Sequence, residues 1–260
     1  MKTPFDDVVA AIRQAGYHNH RRQEHSDVVG EEVFQDLLQL CNPLRADYEK
    51  KKVARWLNVR APGGRGRKLD LVVGEPDPST GEPSIETLRI GLENKSVLTA
   101  HRNKSARFDD LSETLDAILR VRPQAVLAAT VMIGTAQRVL NIPDGVKRTA
   151  KREGKDFEQA ILPRLSTGDD RLWAEFSDAI SENRSNDPSK TLDVFRTLPT
   201  RQPGHTHAHG YDYVLTVPVF IDNVAEPYVD RDNDLGLDVD AEYAEMLEVI
   251  CRAYTARWHT

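Results

Sequence analysis

The stretch Leu88-Arg-Ile-Gly-Leu-Glu93-Asn-Lys95-Ser-Val-Leu-Thr99 decides how this chain is read. It is a strand that begins apolar and then carries a carboxylate and an ammonium two residues apart. Residues i and i+2 of a strand share a face, so Glu93 and Lys95 project side by side while Asn94 projects to the other side. Burying an acid and a base at the end of an apolar strand costs free energy and calls for a partner. A hard metal ion is one such partner, with Glu93 supplying oxygen and Lys95 lying near a water or a phosphate. A surface ion pair on an edge strand is the plainer reading of Glu-x-Lys alone.

The neighbouring sequence changes that weighting. Arg67-Lys-Leu-Asp70-Leu-Val-Val73 is a second short apolar strand with an aspartate inside it. Between the two strands, residues 74–83 are dense in Gly, Pro, Asp and Ser, which reads as the long loop of a hairpin. Folding that hairpin brings Asp70 next to Glu93 and predicts two carboxylates and a lysine on one sheet face.

Asp70, a hairpin, then Glu93-Asn-Lys95 resembles the active-site signature of the PD-(D/E)XK nuclease superfamily, which includes most type II restriction endonucleases. Leu69 stands where the family's proline would be, and that proline is dispensable. The polar, basic segment from Thr99 to Leu111 also resembles the passage from catalytic strand to helix in restriction-enzyme-type members. The likeness spans roughly residues 27–133. It implies a Mg2+-dependent endonuclease of restriction or phage-defence type acting on double-stranded DNA, with Mn2+ able to substitute. Asp70, Glu93 and Lys95 are then the catalytic residues. Asp70 and Glu93 hold metal, the carbonyl of Asn94 adds a ligand, and an acid on the preceding helix, Glu31 in preference to Glu32, completes the set. Lys95 orients or deprotonates water, or neutralises developing charge. Arg65, Arg67 and Lys68 at the mouth of the site, with Ser96, His101, Arg102, Lys104 and Arg107 beyond it, are the expected nucleic-acid contacts. A homodimer is expected, because family members that cut both strands pair two sites. Its interface is assigned to the terminal helix and the 141–200 insertion. Two alternatives stay open: an inactive nucleic-acid-binding protein on the same fold, and a histidine-based metallohydrolase.

Composition is compatible with this reading. The chain has 260 residues, 39% hydrophobic and 29% charged, which suits one nuclease domain over residues 1–260. No run is long enough to span a bilayer, and Met1-Lys-Thr-Pro-Phe-Asp-Asp lacks the apolar core of a signal peptide, so no membrane association and a cytoplasmic location are expected. The two cysteines, Cys41 and Cys251, fall in apolar helical patterns and read as reduced core residues; their number excludes a zinc site built on cysteines. The net charge of -6 argues mildly against a nucleic-acid partner. Its distribution argues the other way: Lys50, Lys51, Lys52, Arg55, Arg60, Arg65, Arg67 and Lys68 fall in one stretch without an acid.

The remaining elements follow from periodicity. A short helix covers 5–16, and a polar linker or phosphate-contacting arm with three histidines covers 17–25. Ser26 or Asp27 caps a helix carrying Val29, Val33, Leu37 and Leu40. A strand at 53–59 and a basic glycine loop at 61–67 precede Asp70. A helix at 105–120 presents Phe108, Leu111, Leu115, Ile118 and Leu119, and a buried strand covers 125–133. The order is αβββαβ, predicting an α/β fold with a mixed central sheet flanked by helices; this order resembles the restriction-endonuclease-like core, which the resemblance puts at about 27–133 and 211–222. Residues 141–200 read as a helical insertion, with helices around Phe157–Leu162 and Leu172–Ile180 and a loop at 181–190. His205, His207 and His209 alternate and could bind a transition metal, though loop histidines facing a polar cleft are commoner. A strand at 213–221 contains Pro218, which points to a sheet edge or bulge. A terminal helix covers 240–258.

Overall fold

The computed structural model of the protein describes residues 2–15, 24–61, 68–98, 101–141, 144–154, 157–169, 171, 174, 179–205 and 208–259. The helices are α1 (Pro4–Ala15), α2 (Glu24–Leu40), α3 (Asn42–Glu49), α4 (Lys104–Val121), α5 (Asp144–Arg152), α6 (Phe157–Ala160), α7 (Leu162–Ser166), α8 (Asp187–Arg196) and α9 (Val239–Trp258). The strands are β1 (Ala54–Arg60), β2 (Lys68–Gly74), β3 (Leu88–Val97), β4 (Val126–Gly134), β5 (Arg138–Leu140), β6 (Ile180–Glu182), β7 (Tyr213–Phe220) and β8 (Tyr228–Val229).

Six strands form one mixed sheet in the order β1-β2-β3-β4-β7-β8. The β1–β2 and β2–β3 pairs are antiparallel; β3–β4 and β4–β7 are parallel. The strand β4, Val-Leu-Ala-Ala-Thr-Val-Met-Ile-Gly, is apolar almost throughout because both of its faces are covered, as expected at the centre of a sheet. Alternation along the strands divides the core in two. Leu71, Val73, Ile90, Leu92, Ala128, Leu215 and Val217 pack with α1, α2 and α9. Val72, Leu127, Ala129, Val131 and Ile133 pack with α4 and α8. The result is a three-layer α/β/α arrangement.

Two close approaches fix the end of the sheet that matters below. A side chain at Gly30 of α2 would press on Leu57 and on the Asp70 carbonyl, so glycine lets this helix lie against β2. A side chain at Gly134 would overlap the Leu98 carbonyl, so glycine lets the chain leaving β3 cross the end of β4. Pro218 lies in β7, whose outer neighbour β8 pairs only with Val219 and Phe220. The missing N–H therefore falls where the sheet is nearly an edge.

Several expectations need correcting. Glu24 already lies in α2, so Ser26 and Asp27 sit inside its first turn and do not precede it. Residues 187–190 of the expected 181–190 loop begin α8, and Ile180–Glu182 is a strand pairing with β5. The helix α8 buries Leu192 and Phe195 in the main core, so the segment 141–200 is not wholly an insertion. Of the expected helix around Leu172–Ile180, residues 172, 173 and 175–178 lie outside the described residues and Ile180 lies in β6; most of the 17–25 arm also lies outside the described residues. The helix α9 packs Tyr243, Met246, Ile250, Ala253 and Tyr254 into the core. The cysteines are also not free: Cys41 and Cys251 are joined, with Cα atoms 5.4 Å apart. They are 210 residues apart in sequence, and only the packing of α9 against α2 and α3 brings them together. No helix among the described residues is long and apolar enough to cross a membrane.

Candidate active site

The β2–β3 ladder runs from Gly74↔Leu88 to Leu71↔Leu92, so one further step brings Asp70 level with Glu93. The ladder stops there. Leu69 turns into the core beneath α4, and Asp70 turns to the α2 side, the same side as Leu71. Alternation fails at the matching point of β1, where Asn58 has a φ of 58°. Asparagine tolerates this left-handed conformation better than most residues. The expectation of both carboxylates on one face is thus corrected: a break in the strand turns Asp70 away from the face that Glu93 occupies.

On the α2 side the polar groups are well connected. The Asp70 carboxylate accepts the backbone N–H of Asn94 at 2.6 Å, in place of a ladder bond. The Asn94 side chain donates to the Ser26 carbonyl at 3.3 Å and accepts from the Thr130 hydroxyl at 2.6 Å. The Asn58 amide donates to Asp27 at 2.6 Å. Burial raises the Asp70 pKa; the Asn94 N–H and the Lys95 charge oppose that, while the negative charge of Asp27 adds to it.

On the α4 side, Glu93 is 1% exposed and Lys95 Nζ stands 2.5 Å from its Oε1. Apart from that ion pair, neither carboxylate oxygen has a hydrogen-bond partner meeting normal geometry, and the nearby Thr114 hydroxyl is likewise buried without one. Burial raises the Glu93 pKa, Lys95 opposes it, and the charge of Asp70 adds to it. The two carboxylates thus reach the sheet end from its two faces, close enough for their charges to act on each other, with Lys95 acting on both.

The other expected residues divide clearly. Glu31 is taken up by an ion pair to Arg55 and a bond from Gln35; the acid of α2 whose charge reaches Asp70 is Asp27, one turn earlier. The clue in the sequence is the i, i+4 spacing of Asp27 and Glu31, which puts both on one helix side and leaves depth along the axis undecided. Lys68 opens β2 and is exposed, and Ser96 is half-buried on β3. His101, expected at phosphate, is 2% exposed; its ring nitrogens lie 2.7 Å from the Thr191 hydroxyl and 3.0 Å from the Gly134 carbonyl. Arg102 is exposed, Lys104 reaches the His101 carbonyl at 3.4 Å, and Arg107 pairs with Asp110 at 3.1 Å. Arg65, Arg67 and His207 lie outside the described residues. His205 is exposed, and His209 pairs with Asp116 of α4 at 2.6 Å.

Among the described residues, no group of three or more His, Cys, Asp or Glu side chains is assembled to hold a metal ion. The donors at the sheet end are two carboxylates and the neighbouring backbone carbonyls. That set suits Mg2+, which keeps several waters and uses one or two carboxylates, and it does not suit a softer ion. The buried, unsatisfied oxygens of Glu93 are what a dication would relieve. No protein-family model, no curated protein and no solved structure matches the chain.

Proposed function

We propose that the protein is a Mg2+-dependent nuclease of the PD-(D/E)XK kind that hydrolyses phosphodiester bonds in DNA. One observation carries the reading: Glu93, a fully buried carboxylate, has Lys95 as its one ion-pair partner, with the Thr114 hydroxyl nearby, and lies within electrostatic reach of Asp70 at the end of a mixed sheet. The order helix, three strands, helix, strand, with β1–β3 antiparallel and β4 parallel to β3, agrees with a restriction-endonuclease-like core.

Glu93 and Asp70, with the Asn94 carbonyl, would hold the ion, and Mg2+ would supply positive charge to the scissile phosphate and acidity to water. Lys95 has a double role. With no substrate bound it offsets the Glu93 charge. With substrate bound, its ammonium is a donor for the attacking water or for charge growing on phosphate. Asp27 raises the negative potential around Asp70 and favours a cation there. Lys68, Arg102 and Lys104 would meet the phosphate backbone, and a second copy of the chain would supply the second site for cutting both strands.

Single-turnover cleavage of DNA at saturating protein tests the reading. Lys95→Ala is expected to cut at least about a hundredfold more slowly while binding DNA normally. Lys104→Ala is expected to cut normally once saturated, but to bind more weakly and to lower the salt slope by about one. Native-rate cutting by Lys95→Ala, or no metal-dependent cutting by the native chain, removes the proposal.

A further inference from the structure

A cleft of about 510 Å³ opens where β3 and β4 end. The turn His101–Asn103 ahead of α4 makes its floor, β6 makes one wall, and the start of α8 closes it. Its volume lies in the range of pockets for small organic ligands, roughly 300–1,000 Å³.

The lining narrows the ligand. The His101 ring is spoken for: Nε2–H donates to the Gly134 carbonyl, which only accepts, and Nδ1 shares a hydrogen bond with the Thr191 hydroxyl. Burial lowers the His101 pKa. Both ring nitrogens of the floor are therefore engaged within the protein. On the rim, Glu182 and Asp187 set two carboxylates beside Arg102, with the charges of Lys104 and Lys190 acting on Asp187. No metal-holding group exists here among the described residues. What remains is a mixed edge of donors and acceptors: Asn141, oriented by its bond to Ser181 at 2.9 Å, and Asn183, oriented by its bond to the Ala136 carbonyl at 3.0 Å, beside Arg102 and Glu182. Ala179 and Ile180, which also pack against Leu140, Leu165 and Val224, are the apolar residues of the lining. Arg, Asn, Ser and Glu are the side chains whose geometry matches base edges.

We propose that this cleft receives a nucleobase and discriminates among bases through Arg102, Glu182 and the two asparagines. The cleft lies beside the end of the sheet that carries Lys95, since Val97 pairs with Ile133 immediately before Gly134. A base of the DNA being cut is one source and a free nucleotide is the other; the first source rests on the nuclease reading, and the cleft itself does not.

The test uses the full chain and the four deoxynucleosides, which carry base and sugar without phosphate, titrated by calorimetry or saturation-transfer NMR. At least one base is expected to bind without competition from inorganic phosphate. Glu182→Gln and Arg102→Ala, both at exposed positions and checked for unchanged melting, are expected to weaken it about tenfold or to change which base is preferred. No nucleoside binding, competition by phosphate alone, or unchanged binding in both variants overturns the proposal. A randomised duplex pool, bound with metal omitted, separates the sources. If Glu182→Gln relaxes the sequence preference of the bound pool, the base comes from DNA; if only nucleoside binding responds, the ligand is a free nucleotide. A native chain that binds nucleosides here but cuts no DNA removes the nuclease reading and keeps the cleft. A chain that cuts through Lys95 but ignores nucleosides does the reverse.

Discussion

Two other buried carboxylates in this molecule show what Glu93 lacks. Asp212 has a wholly buried side chain, accepts the Leu127 backbone N–H at 2.9 Å and is gripped by Arg201 and Arg257, themselves buried. Asp47 receives Arg89 at 2.8 Å, the Tyr254 hydroxyl at 2.9 Å and His259 at 2.9 Å. Burial pushes the Asp47 pKa up, but the bonds from Tyr254 and His259 and the Arg89 charge outweigh it and hold it below the usual range. At Glu93 the balance falls the other way, and burial wins over Lys95 and the Thr114 hydroxyl. Buried ions are normally paired and hydrogen-bonded because desolvation costs several kcal/mol per ion. The chain meets that demand at Asp212 and Asp47 and leaves it half met at Glu93. Asp212 and Asp47 are saturated with donors, and Glu93 is not.

The sharpest break of this comparison is at Asp212. Asp212→Ala leaves two buried guanidiniums without their acid and is expected to cost about 3–5 kcal/mol of unfolding free energy in a denaturant titration. A loss under about 1 kcal/mol would mean that the saturated cluster is not structural in the sense argued here. The next effect is a gain. If Mg2+ binds the folded site as proposed and not the unfolded chain, then at a hundredfold its Kd it is expected to add about 2.7 kcal/mol, read as a rise in Tm. Asp70→Asn and Glu93→Gln are expected to abolish the rise, whereas Asp47→Asn is expected to keep it. A rise that survives both changes at the sheet end would put the ion elsewhere.

The smallest effect concerns pH. A carboxyl whose folded pKa is raised binds its proton more readily in the native state than in the unfolded chain. Its penalty is fully present above the folded pKa and is relieved as pH falls through that value toward the ordinary 3.8 of Asp70 and 4.5 of Glu93. Without metal, mild acidification from neutral is expected to stabilise the protein through these two groups, and Glu93→Gln is expected to flatten that trend. Asp47, with its lowered pKa, works in the opposite sense: its contribution is present above 3.8 and is lost as pH falls through its folded pKa. Urea titrations of the native chain and of Glu93→Gln across pH 4.5–7 separate the two. Parallel curves for the two proteins would refute the unsatisfied state of Glu93.

Most of the sheet was legible because its signals are local. The run Val126–Ile133 has no polar residue but Thr130, so it can only be a central strand. The spacing of Leu111, Leu115 and Ile118 marks one side of a helix, and the turn-rich loop before Leu88 makes β2 and β3 a hairpin. The alternation of Glu93, Asn94 and Lys95 was readable for the same reason, and β3 keeps it. The failures at the candidate site involve partners distant in sequence. Nothing near Asp70 announces that Leu69 will take the core position and turn the carboxylate toward Ser26. Nothing near His101 announces Thr191, which is 90 residues away.

What the sequence determined by itself is therefore the α/β class, the strand and helix order, and a short list of acids and bases at the end of one hairpin. Each depends on periodicity within a dozen residues, where backbone geometry alone dictates which side chains share a face. What only the tertiary structure decided is which of those charges are satisfied. The pairing of Glu31 with Arg55 while Asp27 reaches Asp70, the saturation of Asp212 by Arg201 and Arg257, and the joining of Cys41 to Cys251 depend on which elements pack together. Desolvation depends on the same packing, because a charge loses its water only when distant parts of the chain close over it. That is why Glu93 and Asp47, both acids in the sequence, differ in kind only once the chain has folded.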